Sequence, residues 1–221
     1  MIELVACLGN PGREYTRNRH NAGWLLAERL PVFSSLNWQQ KYHGRYASME
    51  GSRLLVYDKM TPGSHGTELS QKAKLHVLMP ETYMNCSGDS VYQAAAFFKI
   101  PPERILLVHD ELELPLGTAA LKFSGGLGGH NGLRSMKARF GAADFWRLRI
   151  GIGRPNHEDI AGWVLSDFTA DEQPILEHVL DACADALLQA LINGPESLLP
   201  AWNKRKIVDP LQNTGNSRKA T

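Results

Sequence analysis

The side chains best suited to chemistry lie in four polar segments of the chain: 9–12 with the nearby residues 20 and 21, then 80–88, 109–117 and 124–132. His20 stands in 15-YTRNRHNAGW-24, and Asp110 stands in 109-HDELELPLG-117. Histidine exchanges protons near neutral pH because its ordinary pKa is about 6.5. Three carboxamide side chains accompany this imidazole and this carboxylate: Asn10, Asn85 and Asn131. Such a set suits a hydrolysis that uses neither a metal ion nor a covalent intermediate.

Each of these groups has a definable role in that reaction. A neutral His20 would take a proton from water, and Asp110 would orient the ring and stabilise the imidazolium. The carboxamides both donate and accept hydrogen bonds, so they can hold a substrate carbonyl, the water or a developing oxyanion. Taken singly, each residue also fits a structural role as a turn residue or helix cap. Their combination favours a site.

Other kinds of site have less support. The segment 124-SGGLGGHNG-132 lets a ligand approach the backbone, but Asn131 replaces the last glycine of a GxGxxG pattern, and no P-loop GK[ST] follows. A serine hydrolase is disfavoured because GxSxG is absent from the chain. The adjacent residues 109–111 cannot all face one ion, and no HExxH occurs, so we expect no catalytic metal and no cofactor. His109 and His130, which border the site, are interpreted as supports.

Composition is that of an ordinary globular domain. The 221 residues are 43% hydrophobic and 21% charged, which is ample for one sizeable core. The formal net charge is +1, so binding of a polyanion must come from a local patch. Three dispersed cysteines without a CxxC pair fit a reducing compartment. Without a signal-peptide pattern or an apolar run that could span a bilayer, we expect a cytoplasmic protein.

The elements that must position these residues follow from the apolar pattern. Short runs rich in aliphatic residues predict six strands, at 2–8, 53–60, 74–79, 104–110, 118–124 and 145–152. Helical spacing predicts helices over 87–100, 132–141 and 171–192, the last after a Thr169/Glu172 capping box. This alternation favours an α/β layered domain with a mostly buried sheet. The polar tail 210–221 is predicted to be disordered.

The four polar segments each follow a predicted strand. In α/β sheets, function gathers in the loops beyond the carboxyl ends of the strands. The pattern therefore predicts that the imidazole, the carboxylate and the carboxamides meet at one edge of the sheet.

Five ordered motifs resemble those of bacterial-type peptidyl-tRNA hydrolases. They read 8-LGNPGREYTRNRHNAG-23, 80-PETYMNCSG-88, 109-HDELELPLG-117, 125-GGLGGHNGL-133 and 147-RLRIGIGRP-155, and the resemblance spans roughly residues 2 to 200. It implies an α/β, single-domain, three-layer fold with a twisted mixed β-sheet flanked by helices, with the catalytic domain over residues 1–209. It also implies a monomer that cleaves the ester between a peptide and the 3′ end of tRNA.

The resemblance implies roles for individual residues as well. His20 corresponds to the catalytic base and Asp110 to the acid paired with it. The side chains that bind the peptidyl-ester end and the water correspond to Asn10, Asn85 and Asn131. Lys122 and Arg149 resemble a clamp on the tRNA 5′-phosphate. Three residues that flank the motifs are further substrate-binding candidates: Tyr15, Asn21 and Met84.

Two other functions stay open on the sequence. One is a non-catalytic RNA-binding protein on the same scaffold, as in the plastid intron-splicing factors of this family. The intact catalytic set and the absence of an obvious transit peptide weigh against it. The other is a related hydrolase that acts on a smaller ester or nucleotide. Release of free peptide from peptidyl-tRNA tests the first, and comparison of tRNA substrates with short acyl-nucleotides tests the second.

Overall fold

The computed structural model describes residues 1–57 and 74–208. Its strands are β1 (Leu4–Cys7), β2 (Gln39–Lys41), β3 (Gly44–Glu50), β4 (Lys74–Pro80), β5 (Ile105–Glu111), β6 (Thr118–Phe123), β7 (Trp146–Gly151) and β8 (Arg205–Lys206). They form one sheet in the order β2-β3-β4-β1-β5-β7-β6-β8. The central strands β4, β1, β5 and β7 are parallel, and the strands outside them pair antiparallel.

The described helices cover both faces of this sheet. They are α1 (Ala22–Arg29), α2 (Pro31–Ser34), α3 (Ser87–Phe98), α4 (Asn131–Phe140), α5 (Ile160–Val164) and α6 (Gln173–Asn193). Short 3-10 helices lie at Arg13–Tyr15, Arg19–Asn21, Gly51–Tyr57, Met84–Cys86, Pro102–Arg104 and Pro195–Leu198. None of the helices in the described ranges is long and apolar enough to cross a membrane.

Strand β1 shows why the sheet has a layer on each side. Its side chains alternate, with Val5 and Cys7 in the apolar cluster that contains α1 and α6. Leu4 and Ala6 lie in the cluster that contains α3 and α4. A parallel strand buried on both faces is apolar at every position, which explains the unbroken run in the sequence. The predicted α/β three-layer fold with a mixed sheet is confirmed.

Most of the predicted elements are observed, and one is wrong. Five of the six strands form, but Gly51–Tyr57 is a 3-10 helix where the run 53–60 predicted a strand. A short apolar run has no period that separates a strand from a buried helical turn. Residues 58–60 and the tail 210–221 lie outside the described residues. The boundary of the catalytic domain at residue 209 stays a prediction.

The predicted helix cap before α6 is formed by two reciprocal hydrogen bonds. The Thr169 amide donates to the Glu172 carboxylate at 2.7 Å, and the Glu172 amide donates to Thr169 Oγ1 at 3.3 Å. The helix begins one residue later, at Gln173. The hairpin β2–β3 and helix α1 were not predicted. Strand β2 reads QQK and is exposed, so it carries no apolar pattern.

Helix α1 lies against the sheet so closely that it needs a glycine. A Cβ on Gly23 would lie 2.5 Å from the Leu8 carbonyl oxygen and 2.6 Å from that of Val108, and neither backbone atom can move cheaply. We expect Gly23→Ala to lower the free energy of unfolding by about 1–3 kcal/mol, the usual cost of overpacking. Urea unfolding measures this. Gly126→Ala is the control, because a Cβ there meets nothing within 4 Å; equal stability of the two variants would contradict the prediction.

Candidate active site

The carboxyl ends of three neighbouring parallel strands bring the predicted catalytic groups together. Strand β1 leads to Asn10, β4 leads to the turn that holds Asn85, and β5 carries Asp110 near its end. His20 lies in the 3-10 helix Arg19–Asn21, between β1 and α1. The fourth segment differs from expectation. Strand β6 is antiparallel to β7, so its glycine-rich loop starts at the opposite edge of the sheet and must return before α4 begins at Asn131.

His20 and Asp110 form a buried hydrogen-bonded pair. His20 Nδ1 lies 2.8 Å from Asp110 Oδ1, and the two residues are 6% and 1% exposed. An ionised carboxylate only accepts hydrogen bonds, so Nδ1 carries the proton. In the neutral ring Nε2 is therefore unprotonated, and it is the nitrogen that can take a proton from a substrate or water.

Asp110 also holds a second imidazole. His130 Nε2 lies 3.0 Å from the same Oδ1 atom. Its Nδ1 accepts from the backbone N–H groups of Gly132 and Leu133, at 3.1 and 3.4 Å, and so caps helix α4. Because backbone N–H groups only donate, the proton of His130 is on Nε2 and is donated to Asp110. The sequence analysis interpreted His130 as a supporting residue beside the site, and the contact with Asp110 identifies the residue that it supports.

The charges of this cluster depend on one another. Burial alone lowers the pKa of His20, but the negative charge of Asp110 and the hydrogen bond to it prevail, so this pKa lies above its ordinary value. Burial opposes ionisation of Asp110, yet attraction to His20 and His130 and their hydrogen bonds hold its pKa well below the ordinary range. Asp110 is thus an anion at neutral pH, and His20 is a base strengthened by it.

His109 lies next to the cluster and stays neutral. Its Nδ1 donates to the Asp110 carbonyl oxygen at 2.6 Å, and its ring meets that of His130 edge-on at 4.8 Å. Burial, together with repulsion from His130, lowers the pKa of His109 well below 6.5 despite the attraction of Asp110. Because His109 is neutral, it adds no positive charge beside Asp110, and the Asp110 carboxylate is the charged group that His20 contacts.

Among the described residues, His20, Asp110 and His130 are the group that could hold a metal ion, since their ligand atoms lie within 4.8 Å of one another. The proton positions oppose this. The atom of His130 that faces the group carries a proton, because the other ring nitrogen accepts from backbone N–H groups. A protonated nitrogen has no lone pair for a metal. The arrangement suits a hydrogen-bonded relay, and the metal-free site stays a prediction.

Asn10 is oriented by its surroundings. Its Oδ1 accepts the backbone N–H of Met84 at 2.7 Å, so Nδ2 is the end of this amide that is left to donate to another group. The backbone of Asn10 exchanges two hydrogen bonds with the Asn21 side chain, at 2.8 and 3.0 Å. Asn21 is fully buried and both ends of its amide are used. It therefore holds Asn10 in place, and its interpretation as a substrate-binding residue stays a prediction.

Two adjoining cavities form a cleft around His20. A cavity of about 480 Å³ is lined by six of the predicted residues: Asn10, Tyr15, His20, Met84, Asn85 and Asn131. A second cavity of about 240 Å³ is lined by Asp110, Glu111 and His130, and it shares His20 and Asn131 with the first. The imidazole and one carboxamide thus stand at the junction of two spaces, which is where a bond between two parts of a substrate would lie.

The cleft has walls that the sequence did not indicate. Tyr83, 61% exposed, lines the larger cavity, although it directly precedes Met84 in the motif 80–88. Ala161 and Val164 of helix α5 line both cavities, and Leu165 lines the larger one. Helix α5 carries no chemically distinctive residue. Its position beside the cleft results from the tertiary fold, so the sequence pattern alone could not predict that it lines the site.

The predicted clamp residues share one face of the sheet but are not direct neighbours. Lys122 is opposite Arg147 in the pairing of β6 with β7, whereas Arg149 is opposite Ala120. Arg149 is bound to the Glu111 carboxylate at 2.9 Å. The sequence missed Arg147, because an arginine inside a strand gives no sign of which neighbour it meets.

Arg147 is a buried guanidinium with free donors. It is 1% exposed and donates from Nη1 to the Gly126 carbonyl at 2.7 Å, while its Nε and Nη2 have no partner among the described residues. The Nη2 atom and Lys122 Nζ both lie within 3.6 Å of the point that a Cβ on Gly125 would occupy. Two cationic side chains therefore approach the side of Gly125 that carries no side chain. This arrangement is suited to an anion with several oxygens, such as a phosphate.

Known proteins resemble this chain along nearly its whole length. The family model described as Peptidyl-tRNA hydrolase matches residues 4–209. The peptidyl-tRNA hydrolase of Treponema pallidum is 43% identical over 212 residues, covering 94% of this chain and 97% of that protein. That of Haemophilus influenzae is 42% identical over 210 residues, covering 93% and 98%.

The fold agrees with this likeness. The crystal structure of peptidyl-tRNA hydrolase from Acinetobacter baumannii superposes with a TM-score of 0.76 at 33% identity, covering 94% of this chain and 97% of that one. The resemblance stated from the five motifs is thereby confirmed. By sequence and by fold, this chain belongs to the peptidyl-tRNA hydrolase family and is a hydrolase.

Proposed function

We propose that this protein hydrolyses the ester bond between the peptide and the 3′-terminal ribose of peptidyl-tRNA, and so returns the tRNA to translation. The observation that supports this most is the pair His20–Asp110, buried at 2.8 Å where the two cavities meet. That pair supplies a base and its orienting anion without a nucleophilic side chain. The proposed enzyme acts as a cytoplasmic monomer and uses no cofactor.

The proposed reaction needs one proton transfer in each direction. His20 Nε2 takes a proton from water while the water oxygen bonds to the ester carbonyl carbon. Asp110 stabilises the imidazolium, which then gives the proton to the departing ribose oxygen. The alkoxide that departs from an ester is a better leaving group than the amine anion that would depart from an amide. One strengthened base and a positioned water can therefore suffice, and ordinary peptide bonds are left intact.

The carboxamides stabilise the charge that develops on the carbonyl oxygen. Asn10 has its oxygen occupied by the Met84 amide, so it offers N–H donors to this oxyanion. Asn131, shared by both cavities, is placed to offer the same. Asn85 is exposed in the larger cavity and is proposed to bind a peptide group of the substrate. Tyr15 and Met84 shape the same wall.

Recognition of tRNA requires a second contact away from the ester. We propose that Lys122 and Arg149 clamp the 5′-phosphate, with Arg147 directly opposite Lys122 and Arg149 two residues further along the same face of β7. Phosphate contacts add affinity and register without reading the base sequence, so many tRNAs can be substrates. Free peptides lack the phosphate and unacylated tRNA lacks the ester, so neither satisfies both contacts.

The clamp predicts a selective loss. Lys122→Ala is expected to lower kcat/KM for peptidyl-tRNA about tenfold at low salt, and to reduce the salt slope of binding by about 1, because one phosphate contact disappears. Short N-acyl-aminoacyl nucleotides should be cleaved normally. Lys41→Ala, on the distant strand β2, is the matched control. Equal losses on both kinds of substrate would mean structural damage instead of a lost phosphate contact.

The function itself is tested with the unmodified protein. Purified enzyme incubated with peptidyl-tRNA is expected to release free peptide and intact deacylated tRNA, in the presence of a chelator. Binding of tRNA without peptide release would refute the hydrolase and favour the non-catalytic RNA-binding alternative. Cleavage of short acyl-nucleotides but not of peptidyl-tRNA would instead identify a smaller substrate.

A further inference from the structure

Arg134 makes an unusual contact at the start of helix α4. It lies three residues after Asn131, and its Nη2 donates to Asn131 Oδ1 at 2.7 Å and to the Gly129 carbonyl at 2.9 Å. A guanidinium has donors and no acceptor, so the amide atom that meets it must be the oxygen. This contact therefore determines which end of the Asn131 amide faces the substrate.

We propose that Arg134 is a positioning residue that fixes the Asn131 amide with its N–H groups towards the reacting carbonyl. This inference rests on the proposed function. No other hydrogen bond to the Asn131 side chain occurs within residues 1–57 and 74–208, and Asn131 is exposed. Without Arg134 the amide would be free to turn its oxygen towards the oxyanion, which repels it. An acceptor at that position destabilises the transition state that a donor stabilises.

The electrostatics of the helix support a specific role for this arginine. A cation in the first turn of a helix opposes the macrodipole, at a typical cost of about 0.3–1 kcal/mol. Arg134 occupies such a place, and the two oxygen acceptors offset the cost. Arg139 lies at the opposite end of α4, where a cation is favourable, and it pairs with Asp89. The helix thus offers one arginine in each setting for comparison.

Asn10 and Asn131 differ in what holds the oxygen of each side-chain amide. The oxygen of Asn10 is held by a backbone amide, that of Met84, which no side-chain substitution removes. The oxygen of Asn131 is held by a side chain that also lines the smaller cavity. Of the two proposed oxyanion donors, Asn131 is therefore the one whose orientation depends on a replaceable residue.

Kinetics on peptidyl-tRNA test this role. Arg134→Ala is expected to lower kcat about tenfold with KM nearly unchanged, less than the roughly 100-fold expected for loss of the donor in Asn131→Ala. Arg134→Lys should restore part of the rate, since an ammonium can also donate to the amide oxygen. Arg139→Ala is the matched control. In the Asn131→Ala background, Arg134→Ala should cause no further loss; a full additional loss would show that Arg134 acts on the substrate directly and would overturn the proposal.

A second measurement does not depend on turnover. The side-chain NH₂ signals of Asn131 in a ¹⁵N-labelled protein are assigned by their absence from Asn131→Ala. They are expected to shift and to exchange faster with water in Arg134→Ala, and to stay unchanged in Arg139→Ala. Unchanged signals in Arg134→Ala would overturn the proposal even in an active enzyme. If the unmodified protein released no peptide, the proposed function would fail, while these signals would still decide how the amide is held.

Discussion

Replacement of His20 by alanine is expected to lower the turnover of peptidyl-tRNA by about 100-fold or more, with the affinity for tRNA roughly retained. The loss is large because the Nδ1 atom of His20 is committed to Asp110 and its Nε2 atom is the proposed base. The proposed clamp residues lie on β6 and β7, so we expect binding of the RNA to be independent of the imidazole. Single-turnover release of peptide measures the chemical step, and tRNA binding is measured separately.

A matched histidine separates this effect from general damage. His178 is an exposed residue of helix α6, and His178→Ala should keep normal turnover. His20→Ala should keep the unfolding midpoint within a few degrees, so that the inactive protein is still folded. Near-normal turnover of a folded His20→Ala variant would remove this residue from the mechanism.

Asp110→Asn is expected to lower kcat/KM by about 100- to 10,000-fold, the range seen when an orienting carboxylate is lost beside a catalytic histidine. The amide removes the charge that stabilises the imidazolium. Both His20 and His130 donate to the same oxygen, Oδ1, and an asparagine can keep its amide oxygen there as the acceptor. The expected loss therefore comes from the missing negative charge, because the imidazolium that forms at His20 no longer faces a carboxylate.

The pH dependence gives this variant a distinctive signature. A base must be neutral to act, so kcat/KM rises with pH through the pKa of His20, which in the unmodified protein lies above its ordinary value. Without the Asp110 charge, burial remains and lowers that pKa, so the residual activity should persist to lower pH. Profiles of kcat/KM across the neutral range measure the shift. Glu113→Gln, an exposed acid after β5, is the control; an unshifted profile in Asp110→Asn would contradict the proposed pairing.

The grouping of the candidate catalytic residues was predictable because these residue types are rare in combination and most of their loops follow parallel strands. Asn10, Asn85 and Asp110 follow or end β1, β4 and β5, so the strand pattern already implied that they meet at one edge. Asn131 reached the same edge by another route, through a loop that returns from the antiparallel strand β6. The prediction was correct for that residue's place and wrong about the path that leads to it.

Contacts between side chains that are far apart in the sequence could not be predicted from the sequence pattern. The resemblance named Lys122 and Arg149 as a phosphate clamp; the register of β6 on β7 adds that Arg147 lies opposite Lys122 and that Arg149 pairs with Glu111. Arg147 and Arg149 are two residues apart and share a face of β7, so only the strand register decides which of them lies opposite Lys122. The burial of Asn21 likewise depends on the packing around Asn10, which no sequence pattern indicates.

The amino-acid sequence alone determined the α/β class, the central strands and the set of groups that we propose for the chemistry, because apolar periodicity and residue type are local properties. The tertiary structure alone decided which nitrogen of each histidine carries a proton, which end of each amide faces the cleft and which cation stays unpaired. Those properties depend on single hydrogen bonds between distant residues. Their geometry exists only after the sheet has set its register and the helices have packed against it.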